Sequence, residues 1–196
     1  MNHDAALPTF RLEPGIALAS AASSQDASVS RDSPAIEVMT DLSLVRAAVV
    51  HPDTSLQQAE QMMILQGVRM LFVVATAPVV EGLITVSDLH GDRQMKVVAD
   101  RHLRFDELSV ADVMSGLSTL DAISFDDLRT ATVGKLILTL QRFGRNHMLV
   151  VEAATAAAPR RIRGLISRSQ IERQLGAAIV ITPVANTFSE IERALL

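Results

Sequence analysis

The sequence predicts an α+β protein made of two copies of one β-α-β-β-α unit, packed sheet to sheet. Three observations predict it: a motif that occurs twice, the same order of apolar runs in each half, and a composition able to form a sizeable core. The chain has 196 residues, of which 48% are hydrophobic and 20% are charged. This composition is typical of a folded protein rather than a disordered one.

Two short motifs mark the repeat. The Val-Met-Thr of residues 38–40 returns as Val-Met-Ser at residues 113–115. The Gly-Leu-Ile-Thr-Val-Ser-Asp of residues 82–88 returns as Gly-Leu-Ile-Ser-Arg-Ser-Gln at residues 164–170. Between these motifs each half has an apolar run, a helix, a buried strand, a hairpin and a second strand. Because neither half can bury both faces of its small sheet, we expect the two sheets to pack together.

The repeat divides the chain into four segments. We expect an extended or partly ordered N-terminal arm at residues 1–33, one repeat at 34–105, a second repeat at 106–176, and a tail at 177–196. The arm is rich in Ala and Ser and has no sustained apolar period, which favours a segment draped on the body.

Helix starts are predicted from capping patterns. Thr54 and Gln57 can form a capping box at the first helix, and Thr187 and Glu190 can form another in the tail. The two motif strands each lead into a helix, for which Ser87 and Ser169 are candidate N-caps.

Helix ends and strands follow from glycines and apolar runs. Three predicted helices end at a glycine, namely Gly67, Gly144 and Gly176. Residues 70–74 and 148–151 are short, apolar and β-branched, which predicts buried strands. Residues 152–163 predict a long exposed hairpin loop, and residues 179–181 a strand-like run stopped by Pro183.

Composition disfavours several classes of protein. The absence of cysteine excludes disulfides and thiolate chemistry and suits a reducing cytoplasm. Lys and Arg number 18 against 22 Asp and Glu, so the net charge of -4 disfavours a nucleic-acid partner. The cluster of Arg160, Arg161 and Arg163 could form a phosphate patch but fits the exposed hairpin better. No apolar run is long enough to span a membrane, and we see no signal peptide.

In order and twice over, these landmarks resemble the cystathionine β-synthase (CBS) domain, present as a tandem pair or Bateman module. The resemblance covers residues 34–176 and rests on the Val-Met-Thr motif, the helix start at residues 52–56, the apolar strand after Arg69 and the Gly-x-x-Thr-x-x-Asp motif. It implies that an adenosyl nucleotide binds in a cleft between the repeats, that the chain forms a homodimer, and that it regulates a target rather than catalyses.

The motif residues have a chemistry that can be stated without the family. Thr85 and Asp88 place a hydroxyl and a carboxylate where a strand runs into a helix, and an ionised carboxylate can accept both hydroxyls of a ribose. The alternative is that Asp88 only caps the helix. Gly82 fits a close backbone approach or an ordinary glycine at a strand start. In the second copy Ser167 keeps the hydroxyl but Gln170 replaces the aspartate, so we expect one strong site at most.

The resemblance also implies where the rest of a nucleotide would lie. Adenine would stack among apolar residues, and phosphates would meet positive charge, although surface arginines are the alternative. The apolar residues are Val50, Pro52, Met70 and Leu71, and the basic ones are Arg69, His147 and Arg168.

We therefore expect a stand-alone regulatory ligand sensor that binds AMP, ADP, ATP or S-adenosylmethionine, requires no cofactor and signals to a target protein. Metal-binding, phosphate-loop and nucleophile-elbow motifs are missing from the sequence, so an enzyme is disfavoured. The alternative is a ligand-free scaffold with a degenerate cleft, which would dimerise and present its arm or tail to a partner.

Overall fold

The computed structural model describes residues 27–102, 104–156 and 158–181. This part of the chain contains eight strands and seven α-helices. The strands are β1 (Met39–Asp41), β2 (Val49–Val50), β3 (Met70–Val73), β4 (Gly82–Thr85), β5 (Ser115–Gly116), β6 (Ala122–Ser124), β7 (His147–Glu152) and β8 (Arg161–Ser167). The helices are α1 (Leu56–Gln66), α2 (Val86–His90), α3 (Asp92–Arg101), α4 (Val110–Val113), α5 (Phe125–Thr130), α6 (Val133–Phe143) and α7 (Arg168–Leu175).

The strands form two four-stranded sheets, each of which takes one strand from the other half of the chain. Sheet 1 has the order β2-β3-β4-β5, and sheet 2 has the order β1-β8-β7-β6. The Val-Met-Thr motif thus leads into β1, which pairs antiparallel with β8, while its repeat leads into β5, which pairs with β4. The α+β class and the two sheets confirm the prediction, but this exchange of strands was not foreseen.

The two motif glycines make room for the exchanged strands. A Cβ on Gly82 would come closer than 3.0 Å to the backbone oxygen of Ser115, and one on Gly164 would lie 2.8 Å from the backbone oxygen of Thr40. One of the two explanations offered for Gly82, a close backbone approach, is therefore correct. The backbone that approaches it is that of the exchanged strand β5.

Three apolar clusters hold the layers together. Met70, Phe72, Leu83 and Leu149 form the buried centre of the cluster between the two sheets. A second cluster packs α1 and α4 on sheet 1, and a third packs α6 and α7 on sheet 2. The sheets therefore face each other, as predicted, with helices covering their outer faces.

Helix ends match the predictions better than helix starts. Helices end at Gly67, Gly144 and Gly176. Each of these glycines has a left-handed backbone conformation, with φ values of 64°, 61° and 67°. The first helix, however, is capped by Ser55 with Gln58, so the prediction of Thr54 with Gln57 is wrong by one residue. Both pairs have the spacing of a capping box, which is why the sequence did not distinguish them.

The two ends of the described chain pack against sheet 2 and its helices. Val29 is buried, and its N–H donates to the carbonyl of Gln174 at 3.0 Å. Ile179 is buried in the same cluster, but residues 179–181 form no strand, so that prediction is wrong. The predicted capping box of Thr187 and Glu190 lies outside the described residues. Across residues 27–102, 104–156 and 158–181, no helix is long and apolar enough to cross a bilayer.

Candidate functional site

A groove of about 310 Å³ opens between the two sheets. Its walls come from both halves of the chain. The start of β3, the end of β4 and the start of α2 lie on one side, and the segment after β5 and the start of β7 lie on the other. Six apolar side chains line it together with polar ones. The apolar residues are Met70, Leu83, Leu120, Met148, Leu149 and Leu165.

Asp88 lies on the wall of this groove and also caps α2. One oxygen, Oδ2, accepts hydrogen bonds from the backbone N–H of Thr85 at 2.8 Å and from its hydroxyl at 2.7 Å. Thr85 is therefore the N-cap, and the prediction of Ser87 is wrong. The capping role posed as an alternative is real, yet it uses one carboxylate oxygen and leaves Oδ1 for another partner.

Arg93 links Asp88 to the exchanged strand β5 and to the residues just before it. Its Nη1 lies 3.9 Å from Asp88 Oδ1 and donates to the carbonyls of Val113 at 2.9 Å and Met114 at 3.1 Å. The same atom donates to the hydroxyl of Ser115, which lines the groove. The guanidinium thus ties the carboxylate to the start of β5, the strand that the second half contributes to sheet 1.

The second copy of the motif is built differently. Ser167 is the N-cap of α7 by position, so the prediction of Ser169 is wrong, but its hydroxyl lies 2.9 Å from that of Ser169 and makes no capping bond. Gln170 is buried and accepts a hydrogen bond from Arg173. The second motif therefore presents no carboxylate, as its sequence indicates.

The three predicted basic residues come together in a smaller cavity next to the groove, of about 140 Å³. Arg69 precedes β3, His147 begins β7, and Arg168 begins α7. Burial lowers the pKa of His147, the charges of Arg69 and Arg168 lower it further, and Asp88 acts in the opposite direction.

Other predicted residues lie elsewhere. Met70 lines the groove, but Val50 and Leu71 are buried in the cluster between sheet 1 and its helices. Pro52 is partly exposed and is not among the residues lining the groove or the basic cavity. The structure therefore does not bring these three side chains to Asp88.

Besides Ser87, which was predicted only as a helix cap, five polar groove residues were missed by sequence reasoning, and the exchange of strands explains most of them. Because β5 pairs with β4, the chain after it passes the start of α2. Arg145 and Asp121 form an ion pair of 2.8 Å in this wall. The repeated Val-Met motif was the available signal. Assigning the strand that follows it to the opposite sheet would have predicted this wall. The five are Ser115, Thr119, Asp121, Arg145 and Asn146.

Not all of the arginines predicted to lie in an exposed hairpin are exposed. Arg161 pairs with Glu152 across the hairpin at 2.6 Å and remains exposed. Arg163, however, forms two hydrogen bonds with Asp41 and has a side chain only 22% exposed. The prediction of a purely solvent-exposed cluster is therefore wrong for Arg163.

Known proteins share this architecture. Residues 35–91 match the family model of the CBS domain. A bacterial CNNM/CorC family Mg2+ transporter has a CBS domain structure, solved with an inhibitor, that is 16% identical, with a TM-score of 0.50 over 74% of this chain and 78% of that one. The chain has the fold of a CBS-domain pair.

Two archaeal proteins have structures with a similar fold. An uncharacterized conserved protein from Pyrococcus horikoshii is 21% identical, with a TM-score of 0.50 over 73% of this chain and 92% of that one. A Methanocaldococcus jannaschii protein, proposed as an archaeal homolog of g-AMPK, is 17% identical, with a TM-score of 0.51 over 71% of this chain and 49% of that one. These likenesses concern the fold. No curated protein sequence is detectably similar to the chain.

Proposed function

We propose that this CBS-domain pair is a regulatory module that binds an adenosyl nucleotide in the groove between its sheets. The observation that carries the proposal is Asp88, whose carboxylate lies on the groove wall. One oxygen is committed to the helix cap, and the other faces Arg93 at 3.9 Å, beyond hydrogen-bond distance, so it can still accept from a ligand. A carboxylate held in this way is a suitable acceptor for two neighbouring sugar hydroxyls.

The sugar end of the ligand would lie at Asp88 Oδ1. Since Oδ2 already accepts two hydrogen bonds from Thr85, both ribose hydroxyls would donate to Oδ1. Hydrogen bonds to a charged acceptor contribute about 1.5–3 kcal/mol when they are shielded from water. The carboxylate is well shielded, because the Asp88 side chain is only 21% exposed.

The base would lie among the apolar groove residues. Met70 and Leu83 line one side, and Leu120, Met148 and Leu149 line the other. A flat aromatic base buries apolar area in such a slot, while its polar edge can reach side chains such as Thr119 or Asn146. We therefore place the base here rather than beside Val50 and Leu71, which are buried behind sheet 1.

One site, not two, is the expected stoichiometry. The position equivalent to Asp88 is Gln170, which is buried and bonded to Arg173. A neutral amide makes weaker hydrogen bonds to a diol than a carboxylate does. We propose that the Asp88 groove alone binds tightly.

Signalling would follow from the fact that the two walls of the groove belong to different sheets. A ligand that contacts Asp88 beside sheet 1 and Met148 of sheet 2 bridges the two sheets, so it favours whichever relative orientation it binds better. Arg93 contacts both Asp88 and the residues just before β5, so a ligand bound at Asp88 would also affect β5 through this side chain. On this account the module acts on a target protein and carries out no chemistry of its own.

The homodimer remains part of the proposal. The end of α1 exposes Ile64 and Leu65, with 72% and 85% of their surfaces accessible. Such exposed apolar side chains on one helix are a candidate contact for a second copy. Light scattering would test it, with a monomer at all concentrations as the contradicting result.

A thermal-shift series with AMP, ADP, ATP and S-adenosylmethionine tests the binding proposal. A ligand at a hundred times its dissociation constant stabilises the protein by about 2.7 kcal/mol. We expect at least one of these compounds to raise the melting temperature. If none does, the second candidate is favoured: a ligand-free scaffold, consistent with the full use of Asp88 Oδ2 in a helix cap.

A further inference from the structure

A further cavity, of about 420 Å³, lies on the outer side of sheet 1 among the helices that cover it. We call it the outer pocket. Helices α1, α2 and α3 line it together with the segment before α4. Neighbouring residues of α2 serve the two cavities, since Asp88 lines the groove whereas Leu89 and His90 line the outer pocket. Its volume is suitable for a small molecule.

The floor of the outer pocket is apolar. Leu56, Leu89 and Leu108 are buried members of the cluster that packs helices on sheet 1, and each of them also lines the pocket. Phe105 lines it too but keeps 57% of its surface accessible. A ligand with an apolar body would therefore remove its own surface and part of the Phe105 ring from water.

Gln94 on α3 places an amide in this apolar lining, although only 4% of its surface is accessible. Its Nε2 donates to the backbone carbonyls of Asp88, at 3.2 Å, and of Leu89. These two acceptors fix the orientation of the amide, because an oxygen in place of Nε2 would face both of them without a proton.

The amide oxygen of Gln94 is the atom that a ligand would meet. Across residues 27–102, 104–156 and 158–181 no group donates a hydrogen bond to Oε1, yet this oxygen is not sealed from solvent. An acceptor in a largely buried side chain is unfavourable without a partner. The outer pocket therefore has a fixed position for a hydrogen-bond donor.

The rim of the outer pocket is acidic. Glu60 and Asp106 line it, with side chains 43% and 68% exposed. Glu60 lies 3.0 Å from His90 and Asp106 lies 3.1 Å from Arg104, but no lysine or arginine is among the described residues that form the lining. Carboxylates at the mouth of an apolar cavity favour a cation over an anion.

We propose that the outer pocket binds a small amine with an apolar body, of the arylalkylamine class. The apolar body would cover the floor at Leu56, Leu89 and Leu108. The ammonium group would supply both things that the lining calls for, namely a donor for Gln94 Oε1 and a positive charge beside the acidic rim. This site is separate from the groove, so the inference does not depend on nucleotide binding.

Three compounds with a phenethyl body separate the contributions of charge and hydrogen bonding. At pH 7 phenethylamine is a cation, phenethyl alcohol is a neutral donor, and phenylpropionate is an anion without a donor. Each is titrated into the isotope-labelled full chain, and the backbone amide signals are followed by NMR. We expect saturable shifts at the outer pocket, with the amine bound about twofold to fivefold more tightly than the alcohol and phenylpropionate the weakest.

Gln57 provides a variant that fills the outer pocket without touching the core, because it lines the pocket from an exposed position on α1. We expect Gln57→Trp to abolish saturable binding of phenethylamine, since the indole would take the space of the ligand. Gln61 is exposed one turn further along the same helix and does not line the pocket, so Gln61→Trp should leave the affinity unchanged.

Two substitutions test the polar contacts. Gln94→Met keeps the length of the side chain and removes Oε1, so the amine and the alcohol should bind about twofold to tenfold more weakly while phenylpropionate changes little. Asp106→Asn should reduce the preference for the amine over the alcohol by about twofold or more. Asp100→Asn, at an exposed position of α3 outside the lining, should leave this preference unchanged.

Each result supports or overturns the inference. It is overturned if phenethylamine shows no saturable binding, if its shifts map to the groove, or if Gln57→Trp binds as well as Gln61→Trp does. Phenylpropionate or phenethyl alcohol binding as tightly as the amine would overturn it as well. If Gln94→Met does not fold, Gln57→Trp and Asp106→Asn still decide, because both change exposed side chains.

Discussion

Arg163 on β8 and Asp41 on β1 form a bidentate ion pair although 122 residues separate them in the chain. The two hydrogen bonds measure 2.9 and 2.8 Å, and both side chains are largely shielded from solvent. The Arg163 guanidinium also lies 4.9 Å from the centre of the Phe125 ring. This contact fastens the exchanged strand of the first half to the sheet of the second.

Replacing one partner should therefore weaken the whole fold. We expect Asp41→Asn to lower the free energy of unfolding by about 2 kcal/mol, because it removes charge-assisted hydrogen bonds from a shielded arginine. Arg161→Gln, which breaks an exposed pair of the same hairpin, should cost at most about 0.5 kcal/mol. Urea denaturation of the three proteins checks this, and equal losses would refute the special role of the strand contact.

The free energy of unfolding should also depend on pH at acidic values, because the pKa of Asp41 differs between the folded and unfolded states. Hydrogen bonds from Arg163 and Ser43 lower the pKa of Asp41 well below its usual range, and those from Ser109 lower the pKa of Asp112. A carboxyl whose pKa is lower when folded contributes stability above its unfolded pKa of about 3.9, and this is lost as the pH falls through the folded value.

We accordingly expect the wild-type protein to lose stability below about pH 5, and Asp41→Asn to lose less over the same interval. The measurement is the free energy of unfolding from urea titrations across that range. Parallel pH curves for the two proteins would show that Asp41 does not contribute in this way.

Gly82 offers a test of strand exchange. We expect Gly82→Ala to destabilise the protein by about 1–3 kcal/mol, since the new methyl group would meet the backbone of Ser115. Gly116 is its register partner on β5, has open space where a Cβ would lie, and provides a matched control. Gly116→Ala should change stability by less than about 0.5 kcal/mol. Similar melting temperatures for both variants would contradict the close crossing.

Much of the fold could be predicted from sequence because its signals are local. Apolar runs gave the buried strands, and glycines gave the helix ends at Gly67 and Gly144. The strand exchange could not be predicted, because a two- or three-residue strand pairs equally well with either sheet until the packing of the whole is known. Arg163 was misjudged for the same reason: its partner Asp41 is reached only through that exchange.

The candidate site was predicted in part. Thr85 and Asp88 lie together on one wall of the groove, and their role in binding stays a prediction. Their mutual hydrogen bonds depend on where the helix begins, which capping patterns fix only to within a residue or two. The opposite wall includes Thr119, which follows β5, and Asn146, which precedes β7, and only the tertiary fold brings these two segments to the groove.

The claim that Asp88 binds the sugar of a nucleotide has a close control within the chain. Asp112 forms the same capping box with Ser109, with hydrogen bonds of 2.9 and 2.8 Å, but does not line the groove. In either position asparagine can keep the capping acceptor while it removes the charge. The two substitutions therefore share their effect on a helix cap and differ in their distance from the groove.

The most direct measurement is the affinity of the wild-type protein, Asp88→Asn and Asp112→Asn for AMP by isothermal titration calorimetry. We predict that Asp88→Asn weakens binding by about tenfold or more, as the loss of charge-assisted hydrogen bonds to the ribose requires, and that Asp112→Asn leaves it unchanged. Equal affinity of wild type and Asp88→Asn for AMP would contradict the account.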